Sequence, residues 1–227
     1  MARGRAIEAK SGGMRIGIFG SGLMGGKLGT LFARAGHDVV FSYARSQKKL
    51  ERLAREAGKS ARAGTPADAA QNADALLLAV PWPQLDDVLR QAGDLDGKVI
   101  ITCSLPMNEE TTELVIGRTS SGAEELASRL PRARIVAAFN TVPSEVLSRV
   151  YETRQEAARP SIVYCGDDWR ANKVAATLIR DIGFDPVDAG PLAIARYTEP
   201  FALLIAQLAY GGKGGPELAY RIERFGK

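Results

Sequence analysis

Gly20, Gly22 and Gly25 stand at G-x-G-x-x-G spacing within MRIGIFGSGLMGGKLGTLFARAGHDVVFSYARS, residues 14–46. An apolar run precedes them and a helical pattern follows, which is the context this spacing needs to bind a dinucleotide. Each glycine has a task. Gly20 serves a tight turn, Gly22 lets the backbone approach a pyrophosphate, and Gly25 allows close helix–strand packing. The helix that follows offers free N–H groups and a positive dipole end to a diphosphate. The chemistry implied is that of a nicotinamide cofactor, and hence of an oxidoreductase.

The second strand selects the cofactor. An NAD site wants an acid at that strand's far end, to bind the ribose 2′-OH. The strand covers residues 38–42, and its only acid, Asp38, lies at the start. The far end reads Ser42, Tyr43, Ala44, Arg45, Ser46, with Lys48 and Lys49 beyond and no acid before Glu51. Arg45 can stack on adenine and fork onto a 2′-phosphate, with Ser42, Ser46 and Lys48 as further donors. The pattern favours NADP(H).

Ligands of such a sheet bind beyond the C-terminal strand ends. Val80 and Pro81 would run under the riboses, and Trp82 offers a flat wall. Asn140 can hydrogen-bond the nicotinamide carboxamide or the substrate. Arg196, Tyr197 and Glu199 precede an apolar helix and read best as surface charges at a helix start. The single histidine, His37, is placed at the opposite sheet edge, so no Ser/His/Asp set can be built. No Cys/His cluster offers a metal site, and Asp167/Asp168 read as a helix cap. Reduction of a carbonyl or imine wants a positioned proton donor. Hydride exchange with a flavin-like ring needs mainly alignment. The scarcity of acid–base groups favours the second, with Asn140 and Tyr197 the weak candidates for a catalytic role.

The elements that must hold these residues alternate. Strands are expected at 14–19, 38–42, 60–63, 75–80, 98–103 and 135–139, with helices between them and a long polar loop at 104–120. This predicts an α/β doubly wound parallel sheet in the order 3-2-1-4-5-6, with all strand C-termini on one edge. A smaller C-terminal part follows. It has strands at 161–165 and 185–188, a helix carrying Val174, Leu178, Ile179 and Ile182, and an apolar helix over 200–210 that must be buried, either in the core or against another subunit. Three domains are expected: a disordered extension at 1–13, a dinucleotide-binding domain at 14–143 and a C-terminal part at 144–227.

Composition excludes several classes. With 45% hydrophobic residues in 227, the chain can bury a real core. Residues 1–13 hold three cations and one anion, half of the net charge of +4, and no basic block interleaved with aromatics appears. A nucleic-acid partner is therefore not expected. The longest apolar runs, 75–80 and 201–210, fall far short of a membrane span, and residues 1–13 lack the apolar core of a signal peptide. Cys103 and Cys165 are isolated, as in a reducing cytoplasm.

Taken together, GSGLMG, LLLAVPWPQ, SSGAEELASRLPRARIVAAFNTVPS, VYCGDD and DAGPLAIAR resemble the NADPH-dependent coenzyme F420 reductase family. That family is itself similar to the NADPH-binding domain of the STEAP metalloreductases. The resemblance runs from Met14 nearly to the end. It implies a Rossmann domain in a homodimer, whose C-terminal part helps form the second cofactor's site and the dimer interface. It also implies direct hydride transfer between NADPH and a deazaflavin. By position, Ser21, Gly22, Leu23 and Met24 would hold the diphosphate. Ser42, Arg45, Ser46 and Lys48 would hold the 2′-phosphate, and Pro81-Trp82 with Asn140-Thr141 would flank the nicotinamide. Coenzyme F420, FMN or FAD is the expected acceptor. Two alternatives stay open: an NADPH-dependent reductase of a small carbonyl or imine, and a non-catalytic NADPH-sensing module.

Overall fold

In β1 (Arg15–Phe19), β4 (Ala75–Leu78), β5 (Val99–Thr102) and β6 (Arg134–Ala137), apolar residues follow one another almost without interruption. Strands covered on both faces read this way. The computed structural model describes residues 13–225 and shows both faces covered. Ile16, Ile18, Ala75, Leu77, Val99, Ile101 and Val136 enter one core. Phe19, Leu76, Leu78, Ile100, Ile135 and Ala137 enter the other. The expected extension at 1–13 lies, but for Gly13, outside the described residues.

One eight-stranded sheet runs β3-β2-β1-β4-β5-β6-β7-β8, with β2 at Asp38–Ser42 and β3 at Ala61–Ala63. Its first six strands have the expected order and are parallel. These six therefore end on one edge, as expected, and the strands of the C-terminal part depart from that direction. β7 (Ser161–Gly166) pairs antiparallel with β6, and β8 (Asp185–Asp188) pairs parallel with β7. The C-terminal part thus extends the same sheet rather than starting another.

On one face lie α1 (Leu23–Arg34), α2 (Gln47–Ala57), α6 (Val146–Glu152) and α7 (Trp169–Asp181). On the other lie α3 (Pro66–Ala70), α4 (Leu85–Ala92), α5 (Gly122–Arg129) and the start of α8 (Ala195–Tyr210). Local signals set the starts. Thr65 and Asp68 form a capping box on α3, and the Asp168 carboxylate accepts the Arg170 and Ala171 amides at the head of α7.

Two helices depart from expectation. α6 lies where the sequence reading places no element, although Val146, Leu147, Val150 and Tyr151 bury one helical face. α8 begins five residues before Pro200, so that proline lies inside the helix and not at its first turn. Pro200 has no N–H to give the turn before it, and that turn is tied to α5 instead through the side chains of Arg196 and Glu199, described below.

Candidate cofactor site

The turn after β1 is built as its glycines require. Gly20 has φ +99°, and a Cβ there would lie 2.4 Å from the Ala79 carbonyl oxygen. A Cβ on Gly25 would lie 1.9 Å from the Gly20 carbonyl oxygen, so α1 can approach β1 only with glycine here. Gly22, the residue capping α1, faces open space on its Cβ side. The first i→i−4 bond is Gly26 N–H to Gly22 O at 3.0 Å, so the amides of Gly22, Leu23, Met24 and Gly25 precede the helical ladder. Leu23 lies 73% exposed on this rim. Ser21 differs. It is buried, its hydroxyl donates to the Ser42 carbonyl at 2.9 Å and its amide to the Tyr43 carbonyl at 3.1 Å. It shapes the loop and offers neither group outward.

The end of β2 carries the basic edge. Arg45, Ser46 and Lys48 are exposed at the start of α2, and the Ser46 hydroxyl caps nothing. Ser42 is fully buried, and its hydroxyl donates to the Ile18 carbonyl at 2.7 Å. The expected phosphate donor Ser42 is thus a tie between β2 and β1, because its side chain points into the core. Tyr43 takes a left-handed conformation, φ +57°, which turns its ring toward α4. There its hydroxyl donates to Asp87 at 2.8 Å. Tyr43, Arg45, Gln47, Thr65, Pro66 and Asp87 are among the residues that line a cavity of about 640 Å³. Asp87 also receives Arg90 and Gln91, so its charge is spent before any phosphate arrives.

At the other end, Val80 is buried and stitched to the next strand: its amide donates to the Ser104 hydroxyl at 3.2 Å, and that hydroxyl donates to its carbonyl at 2.8 Å. Pro81 is exposed beside it. Trp82 is half-buried against the core, with the Arg129 guanidinium 5.7 Å from its ring centre. After β6 the chain strains. Phe139 is fully buried at φ +67°, a conformation a bulky side chain rarely adopts. It delivers Asn140, whose Oδ1 is buried and has no hydrogen-bond partner. Such an acceptor is costly unless something donates to it. The Thr141 hydroxyl lies 2.6 Å from that of Tyr220 and is engaged there.

These features can be set beside known proteins. Residues 15–106 match the family described as NADP oxidoreductase, coenzyme F420-dependent. An F420-dependent NADP reductase of Methanothermobacter thermautotrophicus is 28% identical over 210 residues, covering 86% of this chain and 89% of the relative. Metalloreductase STEAP3 of Rattus norvegicus is 27% identical over 200 residues, covering 88% of this chain and 38% of the relative. The chain is thus similar to NADP oxidoreductases of the coenzyme F420-dependent family, most directly over residues 15–106. A solved structure from Arthrobacter sp. FB24, provisionally named an F420-dependent NADP reductase, shares its fold. The TM-score is 0.81 at 23% identity, over 93% of this chain and all of that one. The chain spans little more than a third of STEAP3, so nothing of that larger protein's own activity passes to it directly.

Several placements in the structure were not legible in sequence. Tyr197 is 70% exposed on the first turn of α8. Arg196 forks onto Glu124 of α5 at 2.9 and 2.6 Å. Glu199 is no surface charge: it is 2% exposed and accepts the Gly122 and Ala123 amides at 2.9 and 3.0 Å. Burial pushes its carboxyl up to about 7. Just beyond Asn140 lies a cluster the reading missed. The Lys27 ammonium donates to the Ser144 carbonyl at 3.0 Å, and the Tyr210 hydroxyl donates to Glu145 at 2.8 Å. The one available signal was Glu145, five residues past a strand-end asparagine. His37 sits at the far edge, its Nδ1 accepting the Met14 amide at 3.0 Å, so Nε2 holds the proton donated to Asp181 at 3.1 Å. Cys103 and Cys165 are free thiols, both pushed up to about 12 by burial. No helix among the described residues is long and apolar enough to cross a membrane.

Proposed function

We propose that this chain exchanges hydride between NADP(H) and a deazaflavin (coenzyme F420) or flavin acceptor. The observation that carries the reading is the buried, unpartnered Oδ1 of Asn140, at the strand end where a nicotinamide carboxamide would donate to it. The glycine turn fits the rest of the cofactor: the Gly22, Leu23 and Met24 amides would hold the diphosphate, and Arg45, Ser46 and Lys48 the 2′-phosphate. Pro81 and Trp82 would border the nicotinamide, with Val80 beneath as a rigid floor. Bound NADPH supplies the hydride, and the chain's own contribution is alignment and exclusion of water. The family likeness supports this acceptor class.

The test is NADPH oxidation by the purified chain, followed at the nicotinamide absorbance, with coenzyme F420, FMN, FAD and riboflavin in parallel. Turnover with the deazaflavin or a flavin is expected. NADPH binding without turnover on any of the four would overturn the acceptor assignment.

A second reading, reduction of a small carbonyl or imine, draws on the Lys27–Ser144 and Glu145–Tyr210 pairs beside Asn140, which are acid–base groups where the sequence promised few. Turnover of a keto or imino compound, lost on Tyr210→Phe, would favour it. We place the chain in the cytoplasm as a homodimer. Leu204 and Leu208 lie 54% and 55% exposed along the outer face of α8, where a second copy would cover them. Sedimentation of Leu204→Glu/Leu208→Glu as a monomer, against a dimeric parent, is the check.

A further inference from the structure

The loop from Ser104 to Ser121 leaves β5 beside Val80, so it borders the end of the cleft where the reading above puts the nicotinamide. It is not loose coil. Asn108 organises its tip: Oδ1 accepts the Thr112 amide at 2.8 Å, Nδ2 donates to the Thr112 hydroxyl at 2.9 Å, and Met107 bridges Leu114. Its first anchor is Ser104, stitched to Val80. Its second is the head of α5, where the loop ends. A Cβ on Gly122 would lie 2.9 Å from the Pro106 ring, so the two ends of the loop press together. What grips that head is Glu199, from 77 residues away in sequence.

We infer that Glu199 is a positioning residue: by holding the Gly122 and Ala123 amides it fixes the 104–121 loop against the cleft. The inference rests on the functional reading only for what the loop borders. Its neighbours do separate tasks. Ser121 caps α5 through the Glu124 amide at 3.1 Å, and Arg196 neutralises the Glu124 carboxylate. Neither reaches the two amides that Glu199 holds. A buried carboxylate is an expensive way to satisfy two N–H groups unless the grip itself matters.

The same grip responds to pH. The groups facing Glu199 are Glu124 on α5, which disfavours its charge, and the Cys165 thiol of β7, around which Asp167 and Asp188 also lie. Arg196, on Glu199's own helix, is spent on Glu124. When the loop opens, Glu199 meets water and ionises at its ordinary value. Deprotonation therefore favours the open loop, and the opening equilibrium rises with pH up to about neutrality.

Amide hydrogen exchange on the full chain tests this, with wild type, Glu199→Ala and Glu199→Gln compared between about pH 5 and pH 8 after correction for intrinsic rates. Glu199→Ala is expected to speed exchange over 107–123 by about tenfold, with β1 and β4 unchanged. The wild-type segment should lose protection as pH rises, and Glu199→Gln, which cannot ionise and keeps one acceptor for the two amides, should show partial protection that does not change with pH. Unchanged exchange in Glu199→Ala, or a pH dependence that survives in Glu199→Gln, overturns the inference. If Glu199→Ala does not fold, Glu199→Gln alone decides. NADPH binding, read by nicotinamide fluorescence, is scored apart: its absence in wild type sinks the functional reading and leaves the loop result standing.

Discussion

Tyr43 and Asp87 meet at the edge of the cavity beside the basic run, phenol to carboxylate at 2.8 Å. Burial, reinforced by Asp87, pushes the phenol up to about 12, so it remains a donor across the working range. The bond joins the end of β2 to α4 and quiets an acid close to the basic edge. Tyr43→Phe removes the one donor to Asp87 that comes from the β2 end, leaving Arg90 and Gln91. NADPH affinity should fall by about three- to tenfold, with NADH affinity less affected, when both are titrated by fluorescence.

Arg45 is exposed at the start of α2 and lines the same cavity. A charge-assisted contact to a 2′-phosphate is worth about 1.5–3 kcal/mol. Arg45→Ala should therefore weaken NADPH by about 10- to 100-fold and leave NADH nearly alone. Equal losses for the two cofactors would remove Arg45 from the phosphate site.

Asn140 predicts an inversion between the free and bound chain. Its Oδ1 is buried without a donor, so deletion relieves a cost in the free protein. Asn140→Ala should hold or raise the melting temperature without cofactor. It should also diminish the rise that saturating NADPH produces. Scanning calorimetry with and without NADPH reads both. A mutant that loses stability alone and gains normally from NADPH would assign Asn140 to the scaffold.

Glu199 gives the pH dependence a sign. Its folded value, about 7, is above the ordinary 4.5. A raised carboxyl binds its proton more tightly folded than unfolded, so its contribution is full below about pH 4.5 and is lost as pH rises through about 7. The amount at stake is on the order of 3 kcal/mol. Urea titrations at several pH values should show wild type losing stability against Glu199→Gln across that window. Parallel curves for the two proteins would contradict the raised value.

His37 belongs to the scaffold at the opposite edge, between the Met14 amide and Asp181. His37→Ala leaves a part-buried amide unpaired and should cost about 1–3 kcal/mol in urea unfolding, with NADPH affinity unchanged. A loss of affinity in a stably folded mutant would contradict this placement.

The sequence alone determined the cofactor turn and the sheet that carries it. Glycine spacing, the basic run after Ser42 and unbroken apolar strands are local signals, set by φ, by backbone approach and by burial on both faces. The order of the first six strands followed, because parallel crossovers leave few choices. Tertiary structure alone decided the rest. The antiparallel turn into β7 depends on which edge is open once six strands have paired. Ser21, Ser42 and Thr141 read as ligands by type and position, and packing turned their hydroxyls to carbonyls and to Tyr220. Glu199 read as a surface charge because nothing near it in sequence could hold it. Its partners, Gly122 and Ala123, come within reach only when α8 is laid against α5. Local pattern specifies which backbone groups are free; only the packed chain specifies which side chains are left to face a ligand.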